Sequence, residues 1–280
     1  VKVKFWGTRG SIATPGPTTI RYGGNTTCLE VLLEDGTRVV LDAGTGIRKL
    51  GEQLLDAPAD KPIHLFLTHS HWDHIQGFPF FAPAYDQHRR IRIYGFHQAY
   101  DKLRAILTNQ MESKFFPVDF GDLNADIQFV EITAETYEIG AAKICAVACN
   151  HPGTAHGFRI TENGRSLIFL TDNELRPAGD VTTEWPAFVR FCSGVNLLIH
   201  DAMYSAEELE TRRGYGHSSY DQAIDLALEA DVGTFVLFHH DPEHDDDTMD
   251  RIVEECKGRI KDASSEMQCL GAKEDSTLQV

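Results

Sequence analysis

Between residues 65 and 77 the chain runs LFLTHSHWDHIQG, placing three histidines and an aspartate within six positions directly after an apolar stretch. His69, His71, Asp73 and His74 form the pattern H-x-H-x-D-H. In an extended chain residues 69, 71 and 73 share one face, because side chains alternate with period two. His74 points elsewhere unless the chain turns there. Two divergent ligand sets at a strand end would serve two adjacent metal ions, whereas one helix would space its ligands at i and i+4. The competing reading is a polar loop that is merely rich in histidine, and four good ligands in six positions weigh against it. Imidazole with carboxylate, and no thiolate, suits borderline divalent ions: Zn²⁺ is favoured, with Mn²⁺ or Fe²⁺ also accepted.

Four side chains cannot complete two coordination shells, so further ligands must come from later in the chain. His151 follows ICAVACN, Asp172 follows SLIFLT and His239 follows TFVLF. Each is a ligand type set just after an apolar run, as His69 is. Singly, each would pass for an ordinary polar residue; the recurrence makes them candidates. His217 stands in GYGHSSYDQAIDLALEA, where Ser218 or Ser219 would cap the helix that follows and His217 would otherwise be a solvent-facing neighbour.

Elements must bring these positions together. Val1–Trp6 alternates like a strand, and GTRGSIATPGP is a loop dense in Gly, Pro, Ser and Thr. Cys28–Leu33 and Val39–Leu41 suggest a hairpin turned at Asp35-Gly36. Helical spacing covers Ile47–Leu55 and Tyr100–Met111, and strands are expected at Ile63–Thr68 and Ile91–Tyr94. The second half repeats this grammar with strands at Ala142–Ala148, His156–Thr161, Ser166–Leu170, Val195–His200 and Thr234–Phe238. Helices are expected at Ser219–Glu229 and Asp246–Ile260, and STLQV reads as a closing edge strand. Strand-rich halves that each close with helices predict an α/β sandwich, sheets inside and helices outside. No linker or charge block divides the chain, so a single domain over 1–280 is expected.

Bulk properties narrow the function classes. With 42 acidic against 26 basic residues the net charge is −16 over 280 residues, which offers no broad attraction to nucleic acid or anionic membranes. Six scattered cysteines without a CxxC pair suggest reduced, mostly buried thiols. No apolar run approaches the ~20 residues of a membrane span, and the N-terminal stretch lacks a signal-peptide core. The expectation is a cytoplasmic protein without membrane contact.

H-x-H-x-D-H followed by isolated His, Asp and His at strand ends resembles the metallo-β-lactamase superfamily, from GTRGS near the start to FHHDP near the end. The resemblance implies an αββα sandwich of two mixed sheets with helices on the outer faces. It also implies a dinuclear site between the sheet edges. One divalent ion would be held by His69, His71 and His151, the other by Asp73, His74 and His239, with Asp172 bridging. His240 competes with His239, which is preferred because it comes first after its strand. Asp42 of LDAG would support the histidine loop without ligating. Two cations sharing a water lower its pKa toward ~7 and neutralise charge building on a phosphoryl or carbonyl oxygen.

The run from His217 is similar to the H-S-[ST]-x-x-x-A motif of the phosphodiesterase branch, which includes ribonuclease Z and the phosphoribosyl cyclic phosphodiesterases. Asp73 and His217 are thereby the candidate catalytic residues, His217 assisting phosphate binding or leaving-group protonation. GTRGSIATP and RYGGNTTCLEV resemble loops of that branch, so Arg9, Ser11 and Asn25 are candidate phosphate contacts. In LLIHDAMY, also similar to a strand of that branch, His200 and Asp201 are expected to be structural. Only 20 residues lie between His151 and Asp172, too few there for the inserted arm of tRNA-processing relatives, and Tyr85–Glu135 lacks a basic, Gly-rich character. Phe96, Tyr100, Phe115, Phe116 and Phe120 are candidates for a lid, with packing as their alternative use. The expected activity is hydrolysis of a small, cyclic phosphodiester, with extended nucleic-acid binding disfavoured and a homodimer left open. The alternatives are a thioester or lactone hydrolase, a tRNA 3′-processing endoribonuclease, an iron protein acting on oxygen or sulfur, and, weakest, a binding module.

Overall fold

A computed structural model of the chain describes residues 1–96, 100–132 and 136–280, without the side chains of residues 100–102. Among these residues the strands form two seven-stranded sheets. The first holds β1 (Lys2–Gly7), β2 (Cys28–Leu32), β3 (Arg38–Leu41), β4 (Ile63–Phe66), β5 (Arg90–Phe96) and β6 (Asp126–Ile132), in that order. The second holds β7 (Thr136–Ile139), β8 (Ala142–Ala148), β9 (His156–Glu162), β10 (Arg165–Leu170), β11 (Leu197–Asp201), β12 (Thr234–Phe238) and β13 (Gln268–Gly271). The last strand, β14 (Thr277–Gln279), returns to pair antiparallel with β1 at the edge of the first sheet.

Each sheet is mixed in the same way. β1, β2 and β3 pair antiparallel, then β3, β4, β5 and β6 run parallel. In the second sheet β7 to β10 pair antiparallel, then β10, β11, β12 and β13 run parallel. Parallel neighbours end on the same sheet edge, where open α/β sheets bind ligands.

The helices are α1 (Ile47–Leu55), α2 (Trp72–Ile75), α3 (Tyr100–Asn109), α4 (Trp185–Cys192), α5 (Ala206–Arg212), α6 (Tyr220–Glu229) and α7 (Asp246–Asp262). Alternation on the strands separates three apolar layers. On β4, Leu65 packs toward α1 and α3 with Val40, Ile91, Leu50 and Leu107. Its neighbour Phe66 enters the inter-sheet layer, stacked on Tyr94 at 4.2 Å and edge-on to Phe158. The third layer joins Ile168, Leu198 and Phe235 of the second sheet to Phe188 of α4, Ile224 of α6 and Ile252 of α7. This is the αββα sandwich, two mixed sheets with helices on the outer faces.

Local chemistry starts the longer helices where the sequence indicates. Ser219 caps α6 by accepting from Gln222 N–H at 3.3 Å, and Asp245 caps α7 by accepting from Thr248 N–H at 2.8 Å. In α7, Asp246 and Asp247 in the first turn and Arg259 and Lys261 in the last oppose the helix dipole. Between His151 and Asp172 the chain is chiefly the β9–β10 hairpin, turned at Asn163-Gly164 with positive φ at both residues, and no arm is inserted there. Among the described residues no helix is long and apolar enough to cross a membrane.

Candidate metal centre

Strand ends supply the whole site. Asp42 follows β3, the histidine cluster follows β4, His151 follows β8, Asp172 follows β10, Asp201 ends β11 and His239 follows β12. Asp42, Asp172 and His239 all take left-handed backbone conformations, with φ of 64°, 52° and 61°. A non-glycine residue there costs of order 1 kcal/mol or more, a strain often found at functional sites. The reversal turns each side chain over the sheet edge. After β4 the chain turns instead into α2, with His71 at its N-cap, so Asp73 and His74 leave on a different face from His69 and His71.

Two groups result. Ligand-type atoms of His69, His71 and His151 lie within 4.8 Å of one another, and so do those of Asp73, His74, Asp172 and His239. His151 Nε2 is 3.0 Å from His71 Nδ1. His74 Nε2 lies 3.2 Å from Oδ2 of both Asp73 and Asp172, and His239 Nε2 lies 3.2 and 3.4 Å from the same two oxygens. Asp172 also reaches the first group, its Oδ1 being 3.8 Å from His69 Nε2. Sequence reasoning left His239 against His240 open, and the structure separates them. His240 hydrogen-bonds Ala272 O through Nε2 at 2.8 Å and lies edge-on to Tyr22, away from both groups.

The far side of three of the imidazoles, those of His69, His74 and His151, is fixed by a neighbour. Asp42 accepts from His74 Nδ1 at 2.8 Å and from Thr68 N–H at 2.8 Å, and Thr68 Oγ1 lies 3.0 Å from His69 Nδ1. Gly216 O accepts from His151 Nδ1 at 3.1 Å. These contacts direct the Nε2 lone pairs inward, the tautomer a metal ligand needs.

The electrostatics describe a place for cations. Burial works against charge on His74, yet Asp172, Asp73 and Asp42 hold its pKa well above the usual histidine value. Burial likewise opposes ionisation of Asp172, but His239, His74 and His69 hold it well below the carboxylate range, and His74 does the same for Asp73. Burial together with the charge on His74 keeps His69 neutral, and burial lowers His151 to about 4 despite Asp172. His69 Nε2 is buried with no hydrogen-bond partner. Converging carboxylates, the neutral imidazoles of His69 and His151, a site that draws positive charge onto His74, and an orphaned ring nitrogen fit a pair of divalent cations.

His217 stacks on His239 at 5.0 Å and meets His151 edge-on at 5.4 Å. Its Nδ1 lies 2.7 Å from Asp201 Oδ2. Burial opposes its charge, but Asp201 and then Asp172 raise its pKa to about 9. Asp201, which the sequence suggested as structural, therefore belongs to the site as the partner of His217. His200 beside it is buried, bonded to Asp201 O at 2.5 Å. Ser218 accepts from Leu175 N–H and donates to Asn173 O, so Ser219 alone caps α6.

The three proposed phosphate contacts fare differently. Arg9 is fully buried, and its guanidinium donates to the carbonyls of Gly23, Asp241 and His244 at 2.6–2.9 Å. It pins loops together, while its other terminal nitrogen, Nη2, is buried without a hydrogen-bond partner. Asn25 donates to Glu274 at 2.9 Å and accepts from Thr45. Ser11 does reach the site, but through its backbone: its N–H donates to Asp73 Oδ2 at 2.8 Å. A role that sequence reasoning missed is that of Gly10, against which the His239 ring packs so closely that an added Cβ would lie 2.5 Å from it. Of the lid candidates, Phe120 stacks on Phe78, Phe116 meets Phe80 edge-on, Phe115 is exposed, Phe96 stacks on His156, and the side chain of Tyr100 lies outside the described residues.

Comparison with known proteins agrees with this geometry. Ribonuclease Z of Picrophilus torridus is 24% identical over 94% of this chain and 92% of its own length. The metallo-β-lactamase fold protein YhfI of Bacillus subtilis superposes with a TM-score of 0.70 over 99% of both chains at 19% identity. A diphosphatase of the PhnP family superposes at 0.67 over 100% of this chain and 97% of its own, at 18% identity. The model of the β-lactamase superfamily domain matches residues 37–240, which run from the first supporting aspartate's strand to the last ligand-type histidine. The chain belongs to the β-lactamase superfamily.

Proposed function

We propose that the protein is a dinuclear metal-dependent phosphodiesterase acting on a compact phosphodiester. One observation carries this reading: the His217–Asp201 pair abuts a cation-shaped cage and is not needed to build it. Residues 69, 71 and 151 would hold one ion and residues 73, 74 and 239 the other, with Asp172 between them. Zn²⁺ is the favoured ion, with Mn²⁺ or Fe²⁺ accepted by the same donors. Bound there, divalent cations supply Lewis-acid stabilisation of a phosphoryl oxygen and a nucleophile at neutral pH.

The chain's own residues do the rest. His217 commits Nδ1–H to Asp201, so Nε2 is the nitrogen that carries a proton to the departing oxygen. Asp201 fixes that tautomer and favours the charged ring. With its pKa raised to about 9, the ring holds a proton at neutral pH that it can give up as a general acid. Ser11 N–H and the packing of Gly10 hold Asp73 and His239 in place. The tight β9–β10 hairpin and the net charge of −16 favour a small substrate over a long polyanion. Six free cysteines, five of them buried, support a reducing, cytoplasmic setting.

The test is hydrolysis of bis(p-nitrophenyl) phosphate by protein loaded with Zn²⁺ or Mn²⁺. Turnover abolished by a chelator and restored by the ion is expected. His217→Ala is expected to lower kcat by about 10²–10⁴-fold with metal content unchanged. Metal-loaded protein inert toward all phosphodiesters would overturn the reading, and ester hydrolysis indifferent to His217→Ala would favour a thioester or lactone substrate. The similarity to a ribonuclease Z favours RNA as a second reading, checked by incubating the same preparation with a precursor tRNA.

A further inference from the structure

The short segment after Asp172 is wedged between the loop of His151 and the loop of His217. Glu174 N–H donates to Asn150 O at 2.9 Å, and the Asn150 side-chain amide donates back to Glu174 O at 3.1 Å. On the other side Leu175 N–H donates to Ser218 Oγ at 3.1 Å, and Ser218 Oγ donates to Asn173 O at 2.6 Å. The backbone of residues 173–175 thus ties the residue before His151 to the residue after His217.

The Glu174 side chain completes this brace. Glu174 is 1% exposed, and its Oε2 accepts from Gly214 N–H at 2.8 Å and from Gly216 N–H at 3.4 Å. Both glycines take left-handed conformations, with φ of 85° and 87°, which only glycine adopts at little cost. Gly216 O in turn accepts from His151 Nδ1 at 3.1 Å, and a Cβ on Gly216 would lie 2.1 Å from that nitrogen. His217 is the very next residue. Glu174 Oε1 is buried with no hydrogen-bond partner among the described residues. A carboxyl group satisfied on one oxygen only destabilises the fold, and such local conflicts gather at functional sites.

We propose that Glu174 is a positioning residue that clamps the Gly214–Gly216 loop, and through it sets His151 for an ion and His217 for the departing oxygen. It acts through its neighbours, by way of the two glycine amides. The half that concerns His217 rests on the phosphodiesterase reading. The half that concerns His151 needs only a bound ion and is read from metal affinity without any turnover.

Glu174→Met keeps the side-chain volume but offers no oxygen, whereas Glu174→Gln keeps one carbonyl oxygen for both amides. Competition with a chromophoric chelator is expected to show Zn²⁺ bound about tenfold more weakly by Glu174→Met, and Glu174→Gln within about threefold of the wild type. At saturating Zn²⁺, Glu174→Met is expected to lower kcat toward bis(p-nitrophenyl) phosphate by about 10²-fold, the scale of a misplaced reacting group. Added to His217→Ala, the same substitution is expected to cost no more than about threefold further, because the group it positions is already gone. Far-UV circular dichroism and the thermal midpoint identify a misfolded variant, and Glu174→Ala then replaces Glu174→Met. Zn²⁺ affinity unchanged in the folded variant, losses that multiply fully with His217→Ala, or no rescue by Glu174→Gln would overturn the clamp. A rescued affinity loss in protein inert toward every phosphodiester overturns only the phosphodiesterase reading. Turnover and affinity in Glu174→Met equal to the wild type overturn only the clamp.

Discussion

Asp42 illustrates how a residue outside the cage controls it. Its carboxylate accepts from Thr68 N–H and Oγ1 and from His74 Nδ1, all while fully buried. Asp42→Ala leaves His74 free to rotate and removes one of three negative neighbours. Metal affinity is expected to fall by about 10–100-fold, measured by competition with a chromophoric chelator. Asp42 was legible because LDAG places an aspartate directly after an apolar strand. Asp201 was not, although LLIHDA offers the same signal, because its importance lies in a hydrogen bond to a residue 16 positions later. The bonds of Arg9 were not legible either. Arginine beside a glycine loop suits a phosphate, but the direction of the side chain depends on which carbonyls the fold brings behind it.

Glycines and caps set the precision of the elements around the cage. Gly10→Ala would drive a methyl group into the His239 ring, and that ring cannot retreat because it is buried against His217 and His74. Bound metal is expected to drop from two ions toward one per chain, read by elemental analysis after gel filtration. Ser219→Ala removes the cap of α6 next to His217, with an expected loss of about 1 kcal/mol in urea unfolding. Periodicity revealed α1, α6, α7 and most strands, since each buries one regular face. It did not reveal α4, because Pro186 in its first turn looks like a breaker although helices tolerate proline there. The polar α5 carries a single buried apolar residue, Leu209, but Ser205 and Glu208 form a capping box that the sequence does display. β13 has only four residues, too few for alternation to register.

Across the whole molecule, half-buried neutral histidines tie stability to pH. Burial lowers His64 to about 4, with Arg92 adding to the effect, and burial lowers His156 to about 4 as well. In the unfolded chain both titrate near ~6.5. The unfolded state thus binds protons first, so this contribution is complete above pH 6.5 and is lost as pH falls toward 4. The urea midpoint of chelator-treated protein is expected to decline across that window, and His64→Gln to decline less steeply. The repeated halves and the outer helices were legible because each sheet follows one rule, antiparallel then parallel. The division of labour between the sheets was not, because it depends on which strand edges face each other after folding. That division has a consequence for biosynthesis. Four of the seven ligand-type residues follow β4, but the last one waits on β12, far along the chain. A ribosome-bound chain therefore cannot close the cage until β12 has emerged, long after the histidine cluster has left the ribosome.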